Sequence, residues 1–149
     1  LRKRRYPVTT ETTVRLSLSS EITDDESGER EQDTRELFGL FRAREGLCRL
    51  TYAEPSEGGE VQSELLLSDG RVRLCRKGAL RSDILFGEGL SHSSLYEIPP
   101  YRFDMTVTTE RVRVALDGAR GDIELCYRTE LGGASRHCRL TLRVTPCDK

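Results

Sequence analysis

The sequence predicts an all-β protein, a closed antiparallel up-and-down barrel of about 8–10 strands. Three observations lead there. From about Val61 to the C-terminus, apolar side chains fall on every second residue, segment after segment, the period of strands that bury one face and wet the other. Turn residues stand at the breaks, among them Asp69-Gly70, Gly78, Asp117-Gly118 and Gly132-Gly133, in the pairings that tight hairpins favour. No segment sustains a helical period. So many consecutive one-faced strands cover their apolar faces most completely when the sheet curls onto itself.

The elements follow in chain order. Residues 1–7 read as a flexible tail and residues 8–147 as one barrel domain. A first strand is expected over 8–18, with Val14, Leu16 and Leu18 on one face. Residues 19–35 carry Glu21, Asp24, Asp25, Glu26, Glu29 and Glu31 and few apolar side chains, which reads as a long acidic loop, partly disordered. Strands over 37–44 and 47–53 turn at Glu45-Gly46, and 55–59 forms a loop. Asp69-Gly70 suits a two-residue type I′ turn, setting Leu67 opposite Val72, Leu65 opposite Leu74 and Ser63 opposite Arg76. Lys77-Gly78-Ala79 fits a three-residue turn that would set Leu80 against Arg76 and Ile84 against Val72. Residues 87–101 hold either one strand or a crossing loop. Alternation on both sides of Thr109-Glu110 calls for a turn there, although neither residue favours one. The Asp117-Gly118 turn sets Arg113 against Glu124, and Gly132-Gly133 pairs Tyr127 with Cys138, Leu125 with Leu140 and Ile123 with Leu142.

The expected lining is Leu50, Tyr52, Leu65, Leu67, Val72, Leu74, Leu80, Ile84, Phe86 and Tyr96, then Phe103, Met105, Val107, Val112, Val114 and Leu116, then Ile123, Leu125, Tyr127, Leu140, Leu142 and Val144. Its bulk argues for an interior that is filled or nearly so.

Composition narrows function. The chain has 149 residues, enough for one core without staples. Of its 24 basic residues 21 are Arg and 3 are Lys, yet 25 acidic residues are interleaved and the net charge is -1. That balance lacks the basic excess of a nucleic-acid binder. No stretch approaches a membrane-spanning run, and no apolar signal core follows the basic N-terminus. Cys48, Cys75, Cys126, Cys138 and Cys147 are odd in number, irregular in spacing and contain no CxxC, so free thiols in a reducing cytoplasm are expected. Neither His92 nor His137 has a second ligand nearby in sequence, so no metal and no cofactor is expected.

The motifs now in view resemble the YwiB-like proteins, a bacterial family. They are Gly39, Leu50-Thr51-Tyr52-Ala53-Glu54, Cys75-Arg76-Lys77-Gly78-Ala79-Leu80, Phe86-Gly87, Tyr96-Glu97-Ile98-Pro99 and Ile123-Glu124-Leu125-Cys126-Tyr127. The resemblance covers residues 8–144 and departs from the family at Pro100-Tyr101, where a glycine is usual. It implies a calycin-type, lipocalin-like barrel and supplies no catalytic residue.

Polar residues of inward parity are the candidates for a site. Arg76 follows Val72 and Leu74 toward the interior, where a guanidinium needs anionic or carbonyl oxygen. Three readings are open: a structural pair with Glu54, which shares a face with Leu50 and Tyr52; a hold on a ligand's anionic group, helped by Tyr52, Tyr96 or Tyr127; or a place at the rim, reaching water. A carboxylate beside an arginine stays ionised and makes a poor general acid, so Glu54 does not suggest catalysis. No Ser-His-Asp order, GxSxG, phosphate loop or HExxH occurs, so the sequence leans away from an enzyme without deciding the point, and an enzyme stays as a third reading. The sequence supports non-catalytic binding of a small apolar or anionic molecule. The alternative is a structural or interaction module that acts through its outer wall, where Leu66 and Leu85 fall, as a homodimer.

Overall fold

The computed structural model describes residues 10–147, so the tail expected over 1–7 and the start of the first strand lie outside the described residues. Ten strands follow one another: β1 Thr10–Asp24, β2 Arg30–Arg44, β3 Leu47–Ser56, β4 Gly59–Ser68, β5 Arg71–Gly78, β6 Ser82–Phe86, β7 Ser91–Ile98, β8 Tyr101–Asp117, β9 Arg120–Leu131 and β10 Ala134–Pro146. All pair antiparallel in the order β6-β5-β4-β3-β2-β1-β10-β9-β8-β7. The first and last strands are therefore neighbours, paired from Val14 with Pro146 to Asp24 with Arg136. The free edges belong to β6 and β7, which are consecutive in the chain, and the barrel is nearly closed there. Arg81 and Glu97 exchange both backbone hydrogen bonds at 2.9 Å, and the Leu85 N–H donates to His92 Nδ1 at 3.2 Å.

Up-and-down order places the turns at two ends. One end carries the turns after β1, β3, β5, β7 and β9; the other carries those after β2, β4, β6 and β8 and the ends of the described chain. The second end is filled. Val14, Leu16, Phe41, Leu50, Leu65, Val72, Leu74, Phe86, Ile123, Leu125 and Leu142 are buried there and in the middle, and each fully buried side chain of that size contributes roughly 1.5–3 kcal/mol.

The two-residue turns hold the register their chemistry predicts. Asp69 and Gly70 both take positive φ, and Leu67↔Val72, Leu65↔Leu74 and Ser63↔Arg76 pair. Tyr127↔Cys138, Leu125↔Leu140, Ile123↔Leu142 and Arg113↔Glu124 likewise pair as expected.

Three expectations are corrected and one open alternative is decided. Residues 19–35 do not form a long loop: β1 and β2 run on as a hairpin, with only the turn between Asp24 and Arg30 left irregular. Their side chains are largely exposed, so no apolar period marks them. Cross-strand pairs hold them instead, Arg30 with Glu21 and Gln32 Nε2 with Glu21 at 2.9 Å. The β5–β6 register is offset by two residues, pairing Val72 with Phe86, Leu74 with Ile84 and Arg76 with Ser82, because β5 extends through Gly78. That shift preserves facing, so Ile84 and Phe86 stay inward. Thr109-Glu110 is not a turn but a β-bulge within β8, and the extra residue switches the inward parity from Val107 to Val112. Segment 87–101 holds one strand, β7, and the cis Pro99-Pro100 pair forms the turn after it.

Two expected lining residues are more open than predicted, Phe103 at 39% and Val114 at 41% exposure. Both keep the inward parity of β8 but sit where that strand outruns a neighbour: β9 meets β8 only from Met105 onward, and β7 stops at Thr108.

Thr109 is buried at 1% and ties down the β6–β7 crossing. Its carbonyl accepts from Gly89 N–H (3.0 Å), its N–H donates to the Leu90 carbonyl (2.9 Å), and its Oγ1 accepts from Gly87 N–H (3.4 Å). At the start of β9, Gly121 has φ +146, and a Cβ there would overlap the Ala115 carbonyl; at Gly132, φ +56, space is open. Gly132→Ala is expected to cost about 1–2 kcal/mol and Gly121→Ala about 3 kcal/mol or more, measured by urea denaturation. Equal losses would mean that β8 and β9 do not approach closely there.

Candidate functional site

The open end holds a cavity of about 330 Å³ lined by Ile22, Arg76, Ile84, Tyr96, Ile98, Met105, Tyr127, Thr129, Leu131, Ala134, Arg136 and Cys138. It lies where Arg76, Tyr96 and Tyr127 were expected to face inward, and all three line it. Arg76 belongs to a row of polar residues across four strands, the other three lying behind the cavity lining: Tyr52 on β3 pairs with Ser63 on β4, Ser63 with Arg76 on β5, and Arg76 with Ser82 on β6. Directly paired residues share a face of the sheet, so one inward residue in register fixes the others.

This row is only partly satisfied. Arg76 Nε and Ser82 Oγ are buried without a hydrogen-bond partner, as is Ser94 Oγ on β7, and the paired Tyr52 Oη and Ser63 Oγ have only each other. Tyr52, Ser63 and Ser82 are at most 7% exposed. Buried polar atoms without partners are uncommon in native folds, and each costs about 1–3 kcal/mol. Burial pushes the Tyr52 hydroxyl above its usual range despite the Arg76 charge nearby. Burial does the same to Tyr127, more strongly; its ring packs on Phe86 at 4.8 Å between centroids. Both tyrosines therefore stay neutral and able to donate.

The pairing of Arg76 with Glu54 is not found. Glu54 Oε2 lies 3.4 Å from Arg35 Nη1, and the same Arg35 nitrogen donates to the Pro55 carbonyl at 3.1 Å. Arg35 reaches across because β2 continues through the segment expected to be loop, so the competing cation could not be placed from the sequence. Among the described residues Arg76 has no ion-pair partner. Of the expected site residues, Arg76, Tyr52, Tyr96 and Tyr127 gather at the open end, while Glu54 is engaged at its edge.

Ser63, Ser82, Ile98 and Arg136 were not singled out from the sequence. The Asp69-Gly70 register already placed Ser63 beside Arg76. Ser82 needed the β5–β6 register, and Ile98 and Arg136 required the extent of the hairpins.

The thiols do not add chemistry. All five cysteines are free, and burial raises the pKa of Cys48, Cys75, Cys126 and Cys138, opposite to what a nucleophile needs. Asp83, His92 and Ser94 do share a groove of about 270 Å³ at the β6–β7 seam, but not as a hydrolytic triad. Arg73 holds Asp83 at 2.8 and 2.6 Å. His92 Nδ1 accepts from Leu85 N–H, so the neutral ring carries its proton on Nε2 and cannot take one there.

Outside, arginines meet carboxylates on adjacent strands: Arg139 with Glu124 at 2.6 Å, Arg143 with Asp122 at 3.0 Å, Arg49 Nε with Glu64 at 2.7 Å and Arg42 with Glu11 at 2.8 Å. Among the described residues no helix is long and apolar enough to cross a membrane. This charged wall also differs from the apolar band of a membrane-spanning barrel.

Comparison with known proteins agrees with the architecture. The family described as "Domain of unknown function (DUF1934)" matches residues 16–142, and the chain belongs to it. The chain is 26% identical over 127 residues to the "Uncharacterized beta-barrel protein YwiB" of Bacillus subtilis (strain 168), covering 85% of this chain and 88% of that one. The crystal structure of the ywiB protein from Bacillus subtilis superimposes with a TM-score of 0.84 at 24% identity, over 93% of this chain and 94% of that one. The bacterial YwiB-like resemblance and the all-antiparallel barrel therefore hold.

Two outcomes test the site's energetics. Arg76→Leu is expected to leave the unliganded fold intact and raise its stability by about 1 kcal/mol or more, because it removes a buried unpartnered donor; a loss measured by urea denaturation would reveal a structural partner. Asp83 and Glu124 are held below the usual carboxylate range chiefly by hydrogen bonds from Arg73 and Arg139. Their stabilisation is complete above their ordinary values of 3.8 and 4.5 and is lost as pH falls through the lower folded values. Glu124→Gln should accordingly flatten the acid limb of stability against pH, and an unchanged limb would remove this carboxylate from acid unfolding.

Proposed function

We propose that this member of the DUF1934 family is a non-catalytic binding protein that holds a small anionic molecule in the cavity at the open end of its barrel. The observation that carries this reading is Arg76, which lines the cavity with its Nε buried and has no ion-pair partner among the described residues, its neighbours in register being the uncharged Ser63 and Ser82. A site that binds polar ligands leaves such groups unpaired until the ligand arrives. Arg76 supplies the charge, and Tyr96, Tyr127 and Thr129 on the cavity wall supply hydroxyls. The Tyr96 and Tyr127 rings flank the cavity with flat surface and a polar tip. The other half of the barrel, filled with Leu, Phe and Val, serves as a rigid floor.

A wholly apolar ligand would leave the guanidinium unpaired and is disfavoured on that ground. An interaction module acting through the outer wall has less to rest on. Phe38, 66% exposed, lies under the Arg15 guanidinium at 5.8 Å, and Leu66 and Leu85 are half-buried beside Arg71 and Arg73. A calycin-type barrel working in the cytoplasm suits this reading, since five unpaired thiols persist best where the surroundings are reducing.

Native mass spectrometry of the protein purified from its own host tests the proposal. The expected spectrum shows a bound small molecule that disappears in Arg76→Leu, the variant remaining folded. A bare wild-type chain, or a molecule retained equally by the variant, would sink it.

A further inference from the structure

The cavity does not end at the rim. On β8 the inward positions run Met105, Phe103, Tyr101, with exposures rising from 5% through 39% to 64%; on β7, Tyr96 and Ile98 face the same way, Ile98 at 46%. Because β9 joins β8 only from Met105 onward, the β7–β8 hairpin projects past the mouth with an apolar inward face uncovered. That face is continuous with the cavity through Met105, Tyr96 and Ile98. Large exposed apolar side chains grouped beside a pocket point to a ligand or partner surface rather than to chance exposure.

We propose that the ligand is an amphiphilic monocarboxylate bound head first, its carboxylate at Arg76 and its apolar chain leaving along the inward face of the β7–β8 hairpin. The inference rests on the reading of the cavity as a ligand site and adds its chemistry and direction.

The polarity of the site fixes the head group. The charged group of the row that lines the cavity is the Arg76 guanidinium, which donates only, and its neighbours in register, Ser63 and Ser82, supply no acid. The nearest carboxylate on the same face, Glu54, is already engaged by Arg35. A planar carboxylate matches the fork of a guanidinium with two oxygens. It carries the single negative charge that the one inward-held cation, Arg76, can neutralise. A phosphate ester would bring close to two charges, and the second arginine at the cavity, Arg136, sits exposed at the rim. The direction follows from the lining. The apolar side of the cavity continues outward from Met105 through Tyr96 and Ile98 to Phe103 and Tyr101, so a carboxylate held at Arg76 leaves its chain that face to follow, whereas a chain without a charged head would leave the guanidinium unpaired.

The test titrates unliganded full-length protein with hexanoate, dodecanoate, decanoate, decanol, decylamine and decyl phosphate by isothermal calorimetry. Decanoate is expected to bind at least about tenfold more tightly than decanol or decylamine, a difference of about 1.4 kcal/mol. Arg76→Gln should abolish that preference. Affinity should rise from hexanoate to dodecanoate, and the combined Phe103→Ser and Tyr101→Ser variant should lose most of the rise while binding hexanoate as before; both positions are surface-exposed, so the fold is retained. Decanol equal to decanoate, or decyl phosphate tighter than either, would overturn the head-group assignment while leaving the cavity as a ligand site. An unchanged chain-length gain in the hairpin variant would overturn the direction. Failure of every probe to bind, together with a bare chain in native mass spectrometry, would remove the cavity reading itself.

Discussion

The pairing of the first strand with the last is the constraint on which the rest of the molecule depends. β1 and β10 lie side by side from Val14 with Pro146 to Asp24 with Arg136, so the termini of the ladder, where a sheet normally exposes its edges, are sealed by a long run of hydrogen bonds. The edges reappear in the middle of the chain, between β6 and β7. There the short connection through Gly87 and Leu90 keeps the two strands close, and a few specific contacts replace a ladder: the Arg81–Glu97 exchange, the His92 imidazole acting as acceptor, and Thr109 holding the crossing from beneath. Edge strands covered in this way are poor templates for pairing with other chains.

Ring closure also decides where polar groups can go. In a small barrel the middle layers are out of reach of water, and here they are aliphatic and aromatic. Only near one end can a guanidinium be held inside, with its stem buried and its head close to an opening. Arg76 stands two residues from the end of β5, Ser82 begins β6, and Tyr52 and Ser63 lie near the same turns. The row is therefore a feature of the open end. Its neighbours along the β7–β8 hairpin become exposed because the strands of a tilted barrel end at different heights.

Much of this architecture is legible in the residues. Alternation identifies the lining, and glycine-containing two-residue turns transmit register along whole hairpins: Asp69-Gly70 places Ser63 against Arg76, and Gly132-Gly133 places Tyr127 against Cys138. What could not be read shares one physical cause. The hairpin after Leu18 buries little beyond Ile22, so it carries no sustained period, and its order comes from Glu21, Arg30 and Gln32 meeting across strands. The bulge at Thr109 changes parity without any turn residue to announce it. The β5–β6 register slipped by two because a shift of that size leaves every side chain on the face it already had, and pattern alone cannot detect it. At the site, Arg76 and the three tyrosines were visible by parity. The loss of Glu54 to Arg35 was not, since it depended on the unread extension of β2.

The surplus of arginine over lysine finds its explanation in the same geometry. On a strongly twisted antiparallel wall, residues on neighbouring strands approach both directly and diagonally, and a planar guanidinium can meet a carboxylate with two nitrogens at once. Arg73 does so with Asp83, and Arg139 does so with Glu124. These pairs occupy the outer face, where each is worth little alone but together they neutralise the wall locally. Among the described residues the outer wall thus sets acids against its arginines, while Arg76, without a carboxylate in its row, keeps its charge directed inward. The same residue type therefore plays two opposite parts, decided by whether the facing strand supplies an acid: Glu124 and Asp83 do so outside, and Ser63 and Ser82 do not inside.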